Sequence, residues 1–480
     1  MKSRTLRQQP FDIVVIGGGV VGTAIVRELS QYKLSLALLE AGPDVGIGTS
    51  RANTAILHTG FDSEPNSLEE KLLRRGNERM LEYSQEAGIP VERTGAILVA
   101  WNDEQFSKLP ALREKAIANG VEVSENLSIN ELYNQEPHLA PGAMGAIKIP
   151  GESIICPFTP SLAFATQAKK NDVNFHFNHR VLSIKQTNEY IVIGCEENVI
   201  NARWVINAAG LYSDQIDSLF GYNRFTITPR RGELIVFDKF SRILIKHIIL
   251  PVPTSQTKGV LISPTVFGNV LLGPTAEDLE EKNNTATSEK GINTLLKKGG
   301  SLLPALLREE VTSTYAGLRA ATENQDYQIF LNTEDHYICV GGIRSTGLSA
   351  SMGIAEYVVQ LLKEGGFNLR KKEKFETVSM PYLGEKSPRP YINPEKIAQN
   401  PAYGRIICHC EKVSQGEILD AFSSELPPKT LDGLIRRTRC LLGRCQGFYC
   451  LSNLVQIFSE HGAVSKQELL RQRFGPDETN

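Results

Sequence analysis

What these 480 residues lack narrows the field first. No apolar stretch reaches the roughly twenty residues that a membrane-spanning helix needs. The first ten residues are polar and basic without an apolar region, so nothing in them directs secretion. Neither sign of charge is in excess: 52 Lys and Arg against 54 Asp and Glu leave a net charge of -2. That balance, with no long run of Lys or Arg, gives no electrostatic footprint for nucleic acid. The expected setting is the cytoplasm, with any membrane attachment made through a partner. Cysteine is sparse before residue 400, where Cys156, Cys195 and Cys339 lie in apolar surroundings and read as small buried hydrophobes.

What is present is ordinary globular material, 41% hydrophobic and 22% charged, long enough for two or three domains. The clearest pattern occupies residues 11–40. Residues 11–16 are a short apolar run that predicts a buried parallel strand, and Gly17, Gly19 and Gly22 follow directly. Residues 20–29 continue at helical spacing, and residues 34–39 predict a second buried strand that ends on Glu40. Each residue type has a role in a dinucleotide-binding unit. Gly17 permits a tight turn, Gly19 lets the backbone approach a pyrophosphate, and Gly22 lets the helix pack on the strand. The pyrophosphate would rest on the free N–H groups at the helix start. Glu40 is placed to accept hydrogen bonds from a ribose hydroxyl. The motif does not separate FAD from NAD, and its N-terminal position favours FAD.

A loop of small and polar residues over 46–60 comes next, with His58 near its end. An imidazole that titrates near neutrality suits a base that removes a hydroxyl proton. A structural histidine is the plainer reading, and the position just after a nucleotide motif favours the base. Residues 204–210 are an apolar strand ending in Ala208, Ala209 and Gly210, which lets backbone approach a ligand. Residues 229–272 predict antiparallel strands separated by Gly-rich and Pro-rich turns, with Lys258 at the head of one. Residues 337–349 repeat the strand, glycine turn and helix start, whose N–H groups could stabilise negative charge on a reduced ring. Arg319 and Arg344 are candidate anion clamps, because a guanidinium fork matches a carboxylate or phosphate.

Five prolines mark residues 368–404 as a linker or surface strap. Beyond it Cys408, Cys410, Cys440, Cys445 and Cys450 crowd together, which in a cytoplasmic chain argues for metal rather than disulfides. Between them Ser414 and Glu417 predict a capping box on a helix over 414–424, and a second helix is expected over 430–438.

Several of these stretches carry a family resemblance. GGGVVG, RANTAILHTG, WVINAAG, KGVLISPTVFGNVLLGPTAED, YAGLRA and GGIRSTGLSAS, in that order, resemble the glycine oxidase and D-amino-acid oxidase superfamily of FAD enzymes. Within it the chain is most similar to the glycerol-3-phosphate dehydrogenases and oxidases and the L-2-hydroxyglutarate dehydrogenases. CHCEKV and RCLLGRCQGFYC resemble the bacterioferritin-associated ferredoxin type of [2Fe-2S] domain. The resemblance implies an α/β fold. It comprises a Rossmann-like FAD-binding domain (1–90, 152–228 and 310–367) and a mixed α+β substrate domain with an antiparallel sheet (91–151 and 229–309). A linker (368–404) and a small helical iron–sulfur domain (405–480) complete it.

The resemblance also implies residue roles. FAD would meet Gly17, Gly19, Gly22, Glu40, Thr49, Ser50, Thr54, Val181, Ala209, Gly210, Gly342, Ile343, Ser345, Thr346, Gly347 and Leu348. His58 would take the substrate hydroxyl proton. Lys258 and Arg319 match substrate-side positions, and Arg344 joins them on its charge. Cys408, Cys410, Cys440 and Cys445 would hold the cluster, with Cys450 the odd one out at a position the family often fills; four thiolates could also hold zinc. The implied reaction is oxidation of sn-glycerol 3-phosphate to dihydroxyacetone phosphate by hydride transfer to flavin N5. Electrons would then pass through the cluster to a partner subunit or quinone-linked chain. A 2-hydroxyacid dehydrogenase, an amine or imino-acid dehydrogenase subunit and a redox-sensing subunit without turnover are the alternatives.

Overall fold

The computed structural model describes residues 9–124, 126–253, 259–462 and 464–474. Two large sheets divide the chain up to residue 341. In the first, Phe11–Ile16 runs parallel between Leu36–Glu40 and Val199–Asn207. Asn174–Phe177 extends it beyond Leu36–Glu40, and Tyr337–Gly341 lies parallel to Val199–Asn207. Val181–Gln186, Ile191–Cys195 and Gln328–Asn332 add antiparallel edges. Ile13, Val14 and Val15 are wholly buried, as a strand covered on both faces requires. The cover comes from helices. Val20–Leu29 packs against both Thr159–Lys170 and Gly347–Glu364, and Leu68–Ala87 packs against the latter.

The second sheet has nine strands among the described residues. Thr228–Phe237, Val270–Gly273, Leu261–Pro264 and Ile248–Pro251 pair antiparallel in that order. Ile248–Pro251 then meets Ala96–Ala100 in parallel, so the expected antiparallel sheet is mixed at that one junction. Alternate residues Ile235, Phe237, Ile249 and Leu272 bury one face against Leu295 and Leu302 of helix Glu289–Leu302. Val311–Ala321, expected within the nucleotide-binding part, instead pairs along the whole of Thr228–Phe237. It therefore carries Arg319 in from the second sheet rather than from the first.

Residues 368–404 lie as a strap across the body: Lys372 N–H donates to Gln31, Met380 to Ala87 and Glu385 to Val266, at 2.8–3.0 Å. The C-terminal module has its own core of Val413, Ile418, Leu434, Leu454 and Phe458. Helix Gln415–Phe422 carries the expected Ser414 and Glu417 capping box, and Thr430 caps Leu431–Thr438. The module is pinned to the body by buried charge. Asp44, shortly after Glu40, accepts from Arg436 and Arg437, each at 2.6 Å. Glu411 accepts from Lys239 of the body at 3.3 Å and, within the module, from Arg439 at 2.8 Å, whose guanidinium lies 3.6 Å over the Phe267 ring of the body. Such pairs hold only while both partners stay in place, because desolvating either charge alone is costly. Among the described residues no helix is long and apolar enough to cross a membrane.

Candidate functional site

The glycine turn has the shape a dinucleotide cradle needs. Gly17 has φ +109°, and a Cβ there would stand 2.4 Å from the Ala208 carbonyl oxygen. A Cβ on Gly22 would stand 1.9 Å from the Gly17 oxygen, so strand and helix meet through bare backbone. Gly19 faces the cavity at the helix start, where the Ser50 hydroxyl accepts from Val20 N–H at 2.9 Å. Both Glu40 oxygens are held by backbone, Oε2 by Gly18 N–H at 2.7 Å and Oε1 by Gly42 N–H at 2.8 Å. Burial pushes the Glu40 carboxyl up, against the pull of those two N–H groups.

Between the two sheets lies a cavity of about 440 Å³. Of the expected cofactor residues, Gly19, Thr49, Ser50, Thr54, Gly210, Gly342, Ile343, Ser345, Gly347 and Leu348 line it. Gly17, Gly22 and Ala209 shape the turns behind it. Thr346 turns instead to Glu69 and Tyr327, and Val181 pairs with Cys195 in an outer strand.

His58 lines this cavity. Its Nδ1 stands 3.2 Å from Oε2 of Glu152, whose side chain is wholly buried. The other Glu152 oxygen accepts from both Thr59 N–H and Thr59 O–H at 2.8 Å. His58 N–H donates to Ser349 Oγ, and its carbonyl accepts from Asn77, each at 2.8 Å. Hydrogen bonds thus hold the His58 main chain, and Nδ1 is the ring atom in ion-pair contact with the carboxylate, a contact without hydrogen-bond geometry. Sequence reasoning missed Glu152. The signal was there: a single acid between the apolar strands Gly145–Ile149 and Ser153–Ile155 must find a partner when buried.

The three candidate cations fare differently. Arg319 lines the cavity with its guanidinium against the carbonyl oxygens of Thr275 and Arg231, and among the described residues no carboxylate pairs with it. Burial, with Arg230 nearby, pulls its pKa down to about 10, so it stays charged at neutral pH. Arg344 also lines the cavity, but its guanidinium is engaged by Glu69. Lys258 lies outside the described residues. Arg230, which no sequence feature singled out, stands in the wall with both its donors on Asp278.

All five C-terminal cysteines are free thiols gathered in one place. The Cys408 thiol touches those of Cys440 and Cys450, and Cys410 touches Cys445. Cys450 is therefore part of the constellation. Among the described residues no three Cys, His, Asp or Glu side chains are arranged to hold a single metal ion. Contact pairs of thiols suit a two-iron cluster, which takes two sulfur ligands per iron.

A dinucleotide cradle opening onto a cavity that holds an imidazole beside a buried carboxylate and an arginine with no carboxylate partner among the described residues, in a chain that also carries a thiol cluster, defines a nucleotide-cofactor oxidoreductase with a metal-cluster module. Residues 12–361 match the family model for FAD dependent oxidoreductases, and residues 406–460 match the BFD-like [2Fe-2S] binding domain. The chain belongs to the FAD dependent oxidoreductase family. It is 34% identical over 468 residues to a glycerol 3-phosphate dehydrogenase of Caloramator mitchellensis, with 97% of each chain covered. The solved L-alpha-glycerophosphate oxidase of Mycoplasma pneumoniae, with FAD bound, superposes with a TM-score of 0.74 at 30% identity, over 78% of this chain and 100% of that one. Human L-2-hydroxyglutarate dehydrogenase is 31% identical over 291 residues, 57% of this chain and 62% of that one. The chain is thus an FAD-dependent oxidoreductase with a C-terminal [2Fe-2S] domain.

Proposed function

We propose that the protein is a dehydrogenase that oxidises sn-glycerol 3-phosphate to dihydroxyacetone phosphate and passes the electrons on through its iron–sulfur module. The observation that carries this reading is one cavity holding the His58–Glu152 pair and Arg319, a cation that pairs with no carboxylate among the described residues. Bound FAD supplies the two-electron acceptor. His58 takes the substrate hydroxyl proton at Nε2, and the Glu152 carboxylate stabilises the imidazolium that results. Arg319 holds the phosphate, since its fork presents paired donors to an anion. The glycine turn at 17–22 and the walls at Gly210 and Gly342 bring bare backbone to the cofactor.

In this reading residues 1–90, 152–228 and 322–367 form the FAD-binding part, and residues 91–151 with 229–321 close over the substrate. The cluster ligands are Cys408, Cys410, Cys445 and Cys450. Backbone N–H groups of Glu411, Leu441, Cys445, Gly447 and Tyr449 point at these four sulfurs, whereas the Thr438 hydroxyl faces Cys440. Hydrogen bonds to sulfur favour the thiolate form that iron needs. The final acceptor is a one-electron redox partner or a quinone-linked chain.

The test is anaerobic addition of glycerol 3-phosphate, L-2-hydroxyglutarate, lactate, proline and sarcosine in turn, following flavin absorbance. Rapid bleaching by glycerol 3-phosphate, lost in His58→Ala, is expected. Bleaching by proline or sarcosine that survives His58→Ala would overturn the alcohol reading. Rapid stoichiometric peroxide formation in air would overturn the dehydrogenase reading.

A further inference from the structure

The segment between Glu40 and His58 serves two parts of the molecule at once. Its inner side is a wall of the cofactor cavity, lined by Thr49, Ser50, Ala52, Asn53 and Thr54. The Thr49 hydroxyl donates to the Leu318 carbonyl at 2.7 Å, and the Ser50 hydroxyl accepts from Val20 N–H at the start of the helix. Apart from the single turn Thr49–Arg51 and a bridge of two residues at 56–57, the stretch from 41 to 58 has no regular structure, and none of residues 47–54 is buried. Small polar residues so lightly packed do not hold one conformation unaided, because ordering their backbone costs conformational entropy.

The iron–sulfur module holds both ends of this wall. At the near end Asp44 accepts from Arg436 and Arg437, and helix Leu431–Thr438 comes so close that a Cβ on Gly433 would lie 2.8 Å from Asp44 Oδ2. Val45, the next residue, is wholly buried in a small cluster with Leu162 and Ala165 of the body and Leu426 of the module. At the far end Arg51 pairs with Asp432 at 2.6 Å, and the other Asp432 oxygen accepts from Arg436. Arg51, Asp432, Arg436, Asp44 and Arg437 thus form one unbroken chain of alternating charge that spans residues 44–51. Its three module members sit on a single helix. A half-exposed pair such as Arg51–Asp432 contributes little by itself. Asp44 and Arg436 are buried, so they cannot part without leaving a charge desolvated and unpaired.

We infer that the iron–sulfur module completes the FAD site from outside: by clamping residues 44–51 it fixes a wall of the cofactor cavity, so that docking of the module and binding of FAD strengthen each other. Neither Arg436 nor Arg437 lines the cavity, so they are positioning residues that act through the wall. A wall already held in one arrangement spares FAD the cost of ordering it. The coupling is reciprocal: whatever factor docking adds to FAD affinity, FAD adds to docking. Flavin is therefore retained best in molecules whose cluster module is in place. The inference rests on FAD and the module alone, and both measurements below are made without substrate, so they stand apart from the alcohol reading.

The first measurement is titration of FAD into full-length apo-protein that keeps its cluster, followed by quenching of flavin fluorescence. The variant Arg436→Gln with Arg437→Gln should bind FAD at least about tenfold more weakly, within the range of roughly 5- to 150-fold usual for coupled sites, with the cluster absorbance retained. Arg436→Lys with Arg437→Lys, which keeps both charges, should recover most of the affinity. The second measurement needs no substitution. In the wild-type protein, amide hydrogen exchange over Leu431–Thr438 should be slower with FAD bound than without it. The change should be larger there than over Leu451–His461, whose apolar residues lie in the module's own core. FAD affinity unchanged in the Gln variant overturns the proposal and reduces the ion pairs to a fastening. Exchange over 431–438 that does not respond to FAD, or responds no more than that over 451–461, also overturns it.

Discussion

Replacing Glu152 by Gln changes one atom and should disable the base without disturbing the fold. Two donors, Thr59 N–H and Thr59 O–H, converge on Oε1, so the amide oxygen must take that position. The amide NH2 then occupies the Oε2 position, 3.2 Å from His58 Nδ1. There it donates to Nδ1, which forces the imidazole proton onto Nε2, the atom that must accept from substrate. The variant loses the carboxylate as well. At 3.2 Å two unit charges attract by roughly 5 kcal/mol at an effective dielectric constant of about 20, a ceiling before desolvation is subtracted. A hydrogen bond to a charged group is worth about 1.5–3 kcal/mol net, and a wrong tautomer in a related arrangement costs up to about 10⁴-fold in rate. The expected loss is therefore about 10² to 10⁴-fold in the rate of flavin bleaching, with little change in the substrate concentration that half-saturates it. Anaerobic stopped-flow measurement across pH is the assay. A variant that keeps its FAD and its melting temperature yet bleaches at the wild-type rate refutes the pairing of Glu152 with the base.

Other substitutions test other parts of the account. Gly22→Ala puts a methyl 1.9 Å from a carbonyl oxygen, which the turn must shift to accommodate, at about 1–3 kcal/mol, so the purified protein should release little FAD on denaturation while keeping its cluster. Cys450→Ser should abolish the cluster's absorbance and paramagnetic signal and Cys440→Ser should keep them; the reverse would restore Cys440 as the fourth ligand. Asp44→Asn removes the buried carboxylate that Arg436 and Arg437 share, leaving Arg436 only the half-exposed Asp432, and should cost up to about 3–5 kcal/mol, read as a lower melting temperature and faster proteolysis before residue 405. Burial pushes the carboxyls of Asp44 and Glu411 up, but the arginines beside them pull harder and hold both below their ordinary values. Their stabilisation is therefore complete above the usual carboxylate range near pH 4 and is lost as pH falls through the folded values, so acid should release the C-terminal module.

Local patterns carried most of what could be read in advance. The strand, three glycines, helix and terminal acid over residues 11–40 form one contiguous unit, and Ser414 with Glu417 form a capping box within one turn, so neighbouring residues sufficed. Long-range choices were not legible in the same way. Val311–Ala321 joins the second sheet because Thr228–Phe237 offers it a full-length partner, which no property of its own residues announces. Arg344 looked like an anion clamp until Glu69, from a distant helix, was seen to engage it. Glu152 went unnoticed for the same reason, since its partner His58 lies far away in the chain. Cys440 and Cys450 both fit ligand spacing within a few residues, and the choice proposed above rests on which backbone N–H groups point at which sulfur.

The central claim is that electrons enter at the flavin from an anionic alcohol and leave through the iron–sulfur module. Rapid anaerobic mixing with glycerol 3-phosphate, recording flavin absorbance together with the cluster's paramagnetic signal, tests it most directly. The account predicts that the flavin bleaches first and the cluster signal rises afterwards, with both changes absent in His58→Ala. A flavin that bleaches while the loaded cluster stays oxidised would contradict the relay, and a flavin that never bleaches would contradict the activity itself.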